Sequence, residues 1–288
     1  VPLYNTDAAC GGGVIVRNTI DEAITSLNFV HFEKAYGFPI YSANAQKYLF
    51  GALIFDGANV DANGLSFSDI NTSNVIAVNA ASPVISNSEF SLGVDGQDYK
   101  AASIQAYGAG LGILSTMEVR DSSFTGDTEA QCGNQGGGFS VIYTEDSYIR
   151  LDRLDVSDNA YGVFMRGTSG WLTNSTFDTL CNAVDTNSFK QTGDIEHTLY
   201  IDNNVITTGE GAGITAYDGA RVSATGNTIS GASSGSGFGI RSSIVEIYNN
   251  DIGPIEGYNG LWIYGSSDVI AENNPIHDTT FEPVVLGE

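Results

Sequence analysis

Apolar and polar positions alternate in a short phrase that recurs along the second half of the chain. Leu199-Tyr-Ile-Asp-Asn-Asn-Val-Ile206, Val222-Ser-Ala-Thr-Gly-Asn-Thr-Ile229, Val245-Glu-Ile-Tyr-Asn-Asn-Asp-Ile252 and Val269-Ile-Ala-Glu-Asn-Asn-Pro-Ile276 follow at intervals of 23, 23 and 24 residues. A period in this range belongs to stacked rungs rather than to a closed globule. Aligned on its closing residue, the phrase runs back through Phe177, Val156, Phe124, Phe90 and Ile70. Seven positions earlier stand Met117, Ile149, Leu199, Val222, Val245 and Val269, and five earlier Leu65, Ile85, Val119, Leu151, Leu172 and Ile201. That alternation predicts a strand with one face inward. Three positions earlier come Asn87, Asp121, Arg153, Asn174, Asn203, Gly226, Asn249 and Asn273. This column is expected to stack at a sharp turn, each amide bonding its neighbours for roughly 0.5–1.5 kcal/mol net per bond.

A third strand recurs in Gly162-Val-Phe-Met165, Ala183-Val-Asp185, Gly213-Ile-Thr-Ala216, Gly239-Ile-Arg241 and Gly260-Leu-Trp-Ile263. Each rung is therefore predicted to hold up to three short strands separated by turns. The expected organisation is one solenoid domain over 1–288, with a lead-in and cap over 1–30, irregular first rungs over 31–64 and regular rungs over 65–288. Thr19-Ile-Asp-Glu22 reads as a capping box, and Ile20, Ala23, Ile24 and Leu27 as the apolar stripe of a short helix. Insertions fall near 92–112, 126–138 and 187–197. Glu282-Pro-Val-Val-Leu286 takes the third-strand place of the last rung, and no capping segment follows it. Solenoid ends need covering, so this end is expected to meet a further segment of the same chain or another protein subunit.

Asn18-Thr-Ile-Asp-Glu-Ala-Ile24 is similar to the helix that closes the N-terminal end of many right-handed parallel β-helices of the pectin-lyase-like superfamily. The rung pattern resembles the same fold over about residues 14 to 286. The resemblance implies an all-β chain wound as a right-handed single-stranded parallel β-helix with a short N-terminal capping helix. It also implies a sugar-binding groove along one outer sheet face. It names no single activity, because this fold carries lyases, hydrolases, epimerases, tailspikes and structural proteins. The superfamily's polygalacturonase signature is absent, Asp185-Thr-Asn187 sharing only a superficial likeness with its first element. The clustered Asp of its pectate lyases is absent too.

Lys and Arg number 11 against 34 for Asp and Glu, a formal charge of −23. This argues against nucleic acid, anionic lipid and polyanionic sugars as partners and leaves calcium, neutral glycans and proteins open. No apolar run approaches the ~20 residues of a membrane helix, so membrane insertion is not expected. An isolated Cys10, Cys132 or Cys181 is either a buried small apolar residue or half of a disulfide. If one bridge forms, Cys132 and Cys181 are its halves, leaving Cys10 for another segment or free. Sequons stand at Asn71-Thr-Ser73 and Asn174-Ser-Thr176. Asn71 is the glycosylation candidate, Asn174 being part of the stacked column. Together these features place the chain outside the cell or on its surface.

On the third strand Phe164, Arg166, Asp185, Asn187, Thr215, Tyr217, Arg241, Trp262 and Tyr264 are expected to face out. Phe164, Tyr217, Trp262 and Tyr264 are candidate ligand-binding residues, since flat apolar rings stack on sugars. The competing reading packs these rings under insertion loops or against a partner. No catalytic set is assigned; only under an enzymatic alternative would Asp185, Arg166 and Arg241 carry one. His31, His197 and His277 are too scattered to form one. No cofactor is assigned, with calcium open at Asp56-Gly-Ala-Asn59 with Asp61 and at Asp95-Gly-Gln-Asp98. The expected role is an extracellular structural or adhesive module of a surface protein or filament, binding glycans or partner subunits. The alternative is a secreted polysaccharide lyase or glycoside hydrolase.

Overall fold

The computed structural model describes residues 13–17, 25–35, 37–42, 47–70, 72–92, 102–108, 115–126, 132, 140–188 and 198–287. Every regular element among them is a strand. Apart from one antiparallel hairpin, Phe38–Ser42 on Lys47–Asp56, the strands pair in parallel with the rung before and the rung after. The winding is thus a parallel β-helix. Third strands form one sheet, and the two strands of each phrase form the other.

The columns legible in the sequence are the columns of the core. Met117, Ile149, Gly170, Leu199, Val222, Val245 and Val269 stand in one register, and Val119, Leu151, Leu172, Ile201, Ala224 and Ile247 in the next inward one. Phe32, Phe67, Phe90 and Phe124 stack inside with centroids 4.8, 5.1 and 4.6 Å apart, each pair adding about 0.5–1.5 kcal/mol beyond burial.

Two expectations are corrected. Phe67, not Ile70, is the closing residue of its rung, because it pairs with Phe90 and the preceding turn falls at Gly64, φ +67°. Parallel pairing is present within 31–64, where Phe32 meets Phe67, beside the antiparallel hairpin. The expected helix cannot include Leu27: Thr25–Asn28 is a strand paired with Asn59–Asn63, which puts Leu27 beside Ala62. Pairing with the rung overrides the local helical spacing there; residues 18–24 of that expectation lie outside those described.

The polar pair divides its labour. Its first member adopts positive φ, from 48° at Asn87 to 68° at Gly226, and turns the corner. Asn and Gly tolerate this conformation best, and Arg153 is held in it by two hydrogen bonds to Asp121, of 2.6 and 2.9 Å. The second member carries the buried ladder. Asn204, Asn227, Asn250 and Asn274 are joined by amide bonds of 2.9, 2.8 and 3.0 Å. Each also donates to a main-chain carbonyl of the preceding rung, for example Asn227 Nδ2 to Ile201 O at 2.7 Å. Ser88, Ser122 and Ser175 accept main-chain amides at the same place in earlier rungs. Asn174 belongs to the first column and is exposed, its amide donating to Asp152 at 2.8 Å.

Candidate aromatic groove

On the third-strand sheet two side-chain columns face away from the core. One runs Tyr143, Phe164, Asp185, Thr215, Gly239 and Trp262; the other runs Glu145, Arg166, Asn187, Tyr217, Arg241 and Tyr264. All nine residues expected to face out lie in these columns. Ile240 is buried and pairs with Ala216, while Phe238 stands beside Ile214.

The columns are not one continuous surface. Phe164 stacks on Tyr143 at 5.6 Å with 4° between planes, three rungs from Gly239. Arg166 donates to the Tyr143 hydroxyl at 3.4 Å, which itself donates to Glu145 at 3.0 Å. Burial, then the Glu145 charge, push the Tyr143 phenol up to about 12.

Asp185 is buried. Its carboxylate accepts from the Thr215 hydroxyl and from Asn182 Nδ2, at 2.9 Å in the latter case, while Asn182 Oδ1 accepts the Ala212 amide at 2.8 Å. Burial raises the Asp185 carboxyl above its ordinary 3.8, against these hydrogen bonds. A carboxyl raised in the fold stabilises it most below the unfolded value, and that stability is lost as pH rises through the folded value. Asp185→Asn keeps both partners and carries no charge. Its urea midpoint is expected to exceed the parent's at neutral pH, with the gap closing towards pH 4. A gap independent of pH would refute the assignment.

Arg241 is paired with Asp218 at 2.8 Å and lies over the Tyr217 ring at 5.2 Å. Arg166, Asp185 and Arg241 therefore each have their own partners, on three different rungs. Burial, then the Asp185 charge, push Tyr217 up to about 12, so it stays a neutral hydroxyl at ordinary pH.

Between Tyr217 and Trp262 lies a groove of about 260 Å³. Its walls are Tyr217, Tyr258 and Trp262, and its polar lining includes Asn182, Ser234 and Ser236. Trp262 stacks on Tyr258 at 6.2 Å and on Tyr264 at 4.8 Å. Of the four expected ligand-binding aromatics, Tyr217 and Trp262 line this groove, Tyr264 abuts it through Trp262, and Phe164 stands away from it. Asn182, Ser236, Gly239 and Tyr258 were not singled out by sequence. Gly239 had a legible signal, being a residue without a side chain in an otherwise filled outward column.

Cys132 and Cys181 are joined by a disulfide, which ties Cys132 to the residue next to Asn182. Asp56 is engaged by Arg17 and Asn79, both at 2.7 Å. His31 contacts Ser66, and His277 lies between Asp251 and Asp278. Among the described residues no three His, Cys, Asp or Glu gather as a metal site, and no helix is long and apolar enough to cross a membrane. Cys10, Asn71, Asp95, Asp98 and His197 lie outside the described residues.

A family model described as a right-handed beta helix region matches residues 140–286. No curated protein matches the chain. A solved structure of a double mutant of the periplasmic alginate epimerase AlgG is similar over 83% of this chain and 77% of its own, at 9% identity and a TM-score of 0.35.

Proposed function

Since the chain belongs to the right-handed β-helix family, we propose that it serves as an extracellular structural or adhesive module whose third-strand sheet holds neutral glycans. The observation that carries this reading is the groove at Tyr217, Tyr258 and Trp262, where aromatic walls meet amide and hydroxyl groups. Stacking rings with a few fixed polar groups are the general composition of a sugar site. The net charge of −23 favours an uncharged ligand. The Cys132–Cys181 bridge supports an oxidising compartment, outside the cell or on its surface. Val284 and Leu286, exposed on the last strand, are surface that a partner subunit or a further segment of the chain would cover.

One observation favours a polysaccharide lyase or glycoside hydrolase instead: Asp185, a buried carboxyl of raised pKa held by Asn182 at the groove wall. Such a group suits a general acid. A panel of neutral and acidic polysaccharides separates the two readings. The adhesive reading expects retention on neutral polymers with no new reducing ends or unsaturated products. Turnover that disappears in Asp185→Ala would replace it with the enzymatic one.

A further inference from the structure

Gly239 is a glycine for a reason different from that of its neighbours. A Cβ on Gly213, Gly237 or Gly260 would strike a core isoleucine at 2.4, 2.5 or 2.3 Å, so these glycines are required by packing. A Cβ on Gly239 would meet only Thr215 Cγ2 at 3.6 Å and Tyr217 Oη at 3.7 Å, which is ordinary contact. Neither packing nor backbone conformation demands glycine there. What its missing side chain provides is space in the outward column, between Thr215 one rung before and Trp262 one rung after.

Adjacent strands lie about 4.8 Å apart, so the slot spans roughly 10 Å from Thr215 to Trp262 and admits one flat layer. The same column shows what such a layer looks like, since Tyr143 and Phe164 stack in it at 5.6 Å and 4°. At about 260 Å³ the groove falls short of the ~300–1,000 Å³ of pockets for drug-sized ligands and suits a single ring. A second observation says what that ring carries. Ser236 lines the groove, is 2% exposed, and its hydroxyl has no hydrogen-bond partner. A buried polar group left unpaired costs about 1–3 kcal/mol, which a ligand hydroxyl would recover.

Resting on the glycan-binding reading above, we infer that this slot takes the terminal hexopyranose of a neutral glycan. The ring enters edge-on and stacks on Trp262 over Gly239, with a hydroxyl on Ser236 Oγ. Trp262 and Thr215 close the slot along the helix axis, so an interior sugar of a chain laid along that axis does not fit. The net charge of −23 disfavours a uronate. Trp171 and Tyr200, the exposed pair on the other sheet, stand in an outward column of Arg150, Trp171, Tyr200 and Ser223 that holds no glycine and so offers no such slot.

The test is calorimetric titration with the methyl glycosides of glucose, galactose and mannose, with neutral trisaccharides ending in each, and with galacturonic acid as the charged control. At least one neutral glycoside is expected to bind, and its trisaccharide no more than a few-fold tighter. Gly239→Val, which fills the slot from a permissive backbone, should abolish binding, and Ser236→Ala should weaken it about tenfold. Trp171→Ala should bind as the parent does, and circular dichroism of each variant should match the parent's. If a neutral glycan binds but Gly239→Val and Ser236→Ala bind it unchanged, the slot assignment is overturned while the glycan reading stands. If no neutral glycan binds, both fall.

Discussion

Asn227→Ala is expected to destabilise the protein by on the order of 3–5 kcal/mol. Asn227 is 1% exposed and sits mid-ladder. Its Oδ1 accepts Asn204 N at 3.0 Å and Asn204 Nδ2 at 2.9 Å, and its Nδ2 donates to Ile201 O at 2.7 Å and to Asn250 Oδ1 at 2.8 Å. Alanine strands the buried Asn204 main-chain N–H at about 1–3 kcal/mol and removes three further hydrogen bonds at about 0.5–1.5 kcal/mol each, while Asn204 Nδ2 keeps Leu172 O and Asn250 Oδ1 keeps the main-chain amide of residue 227. Asn203→Gly is the contrast. That residue is exposed and contributes a φ of 58°, which glycine adopts freely, so a change within about 0.5 kcal/mol is expected. Urea unfolding checks both. Because each rung touches only its neighbours, hydrogen exchange should show the Asn227 loss concentrated in the adjoining rungs. Equal effects from the two substitutions would contradict the division of labour within the pair.

Reduction of the Cys132–Cys181 bridge is expected to lower stability by about 4 kcal/mol, the loop-closure value for its sequence separation of 49. The bridge ends beside Asn182, which fixes Asp185 and lines the groove. Loosening it should therefore weaken glycan retention before it unfolds the rungs. Urea titration with and without reductant reads the first effect and retention on a neutral polymer the second; an unchanged midpoint would contradict the account.

The rung columns were legible because inward positions of a stacked strand admit little but apolar side chains, and period-two alternation marks them. Ile85, Val119, Leu151 and Leu172 could be aligned without knowing any contact. The ladder was less legible because both members of an Asn-Asn pair are small and polar. Which one points inward depends on the backbone turn, and only Gly226-Asn227 hints at it, glycine taking the corner and Asn the interior. Phe67 was missed because Ile70, three residues on, offers the same chemistry. The outward columns followed from strand alternation, but the groove did not. Tyr258 and Ser236 lie on the turns before their third strands, and only the winding of two successive rungs brings them to Trp262 and Gly239.

The most direct measurement is a crystal structure of the protein soaked with a neutral trisaccharide. The account predicts one terminal sugar ring stacked on Trp262 above Gly239, with a hydroxyl within hydrogen-bonding distance of Ser236 Oγ and the trisaccharide intact. A sugar seated elsewhere on the sheet, or a cleaved product beside Asp185, would contradict it.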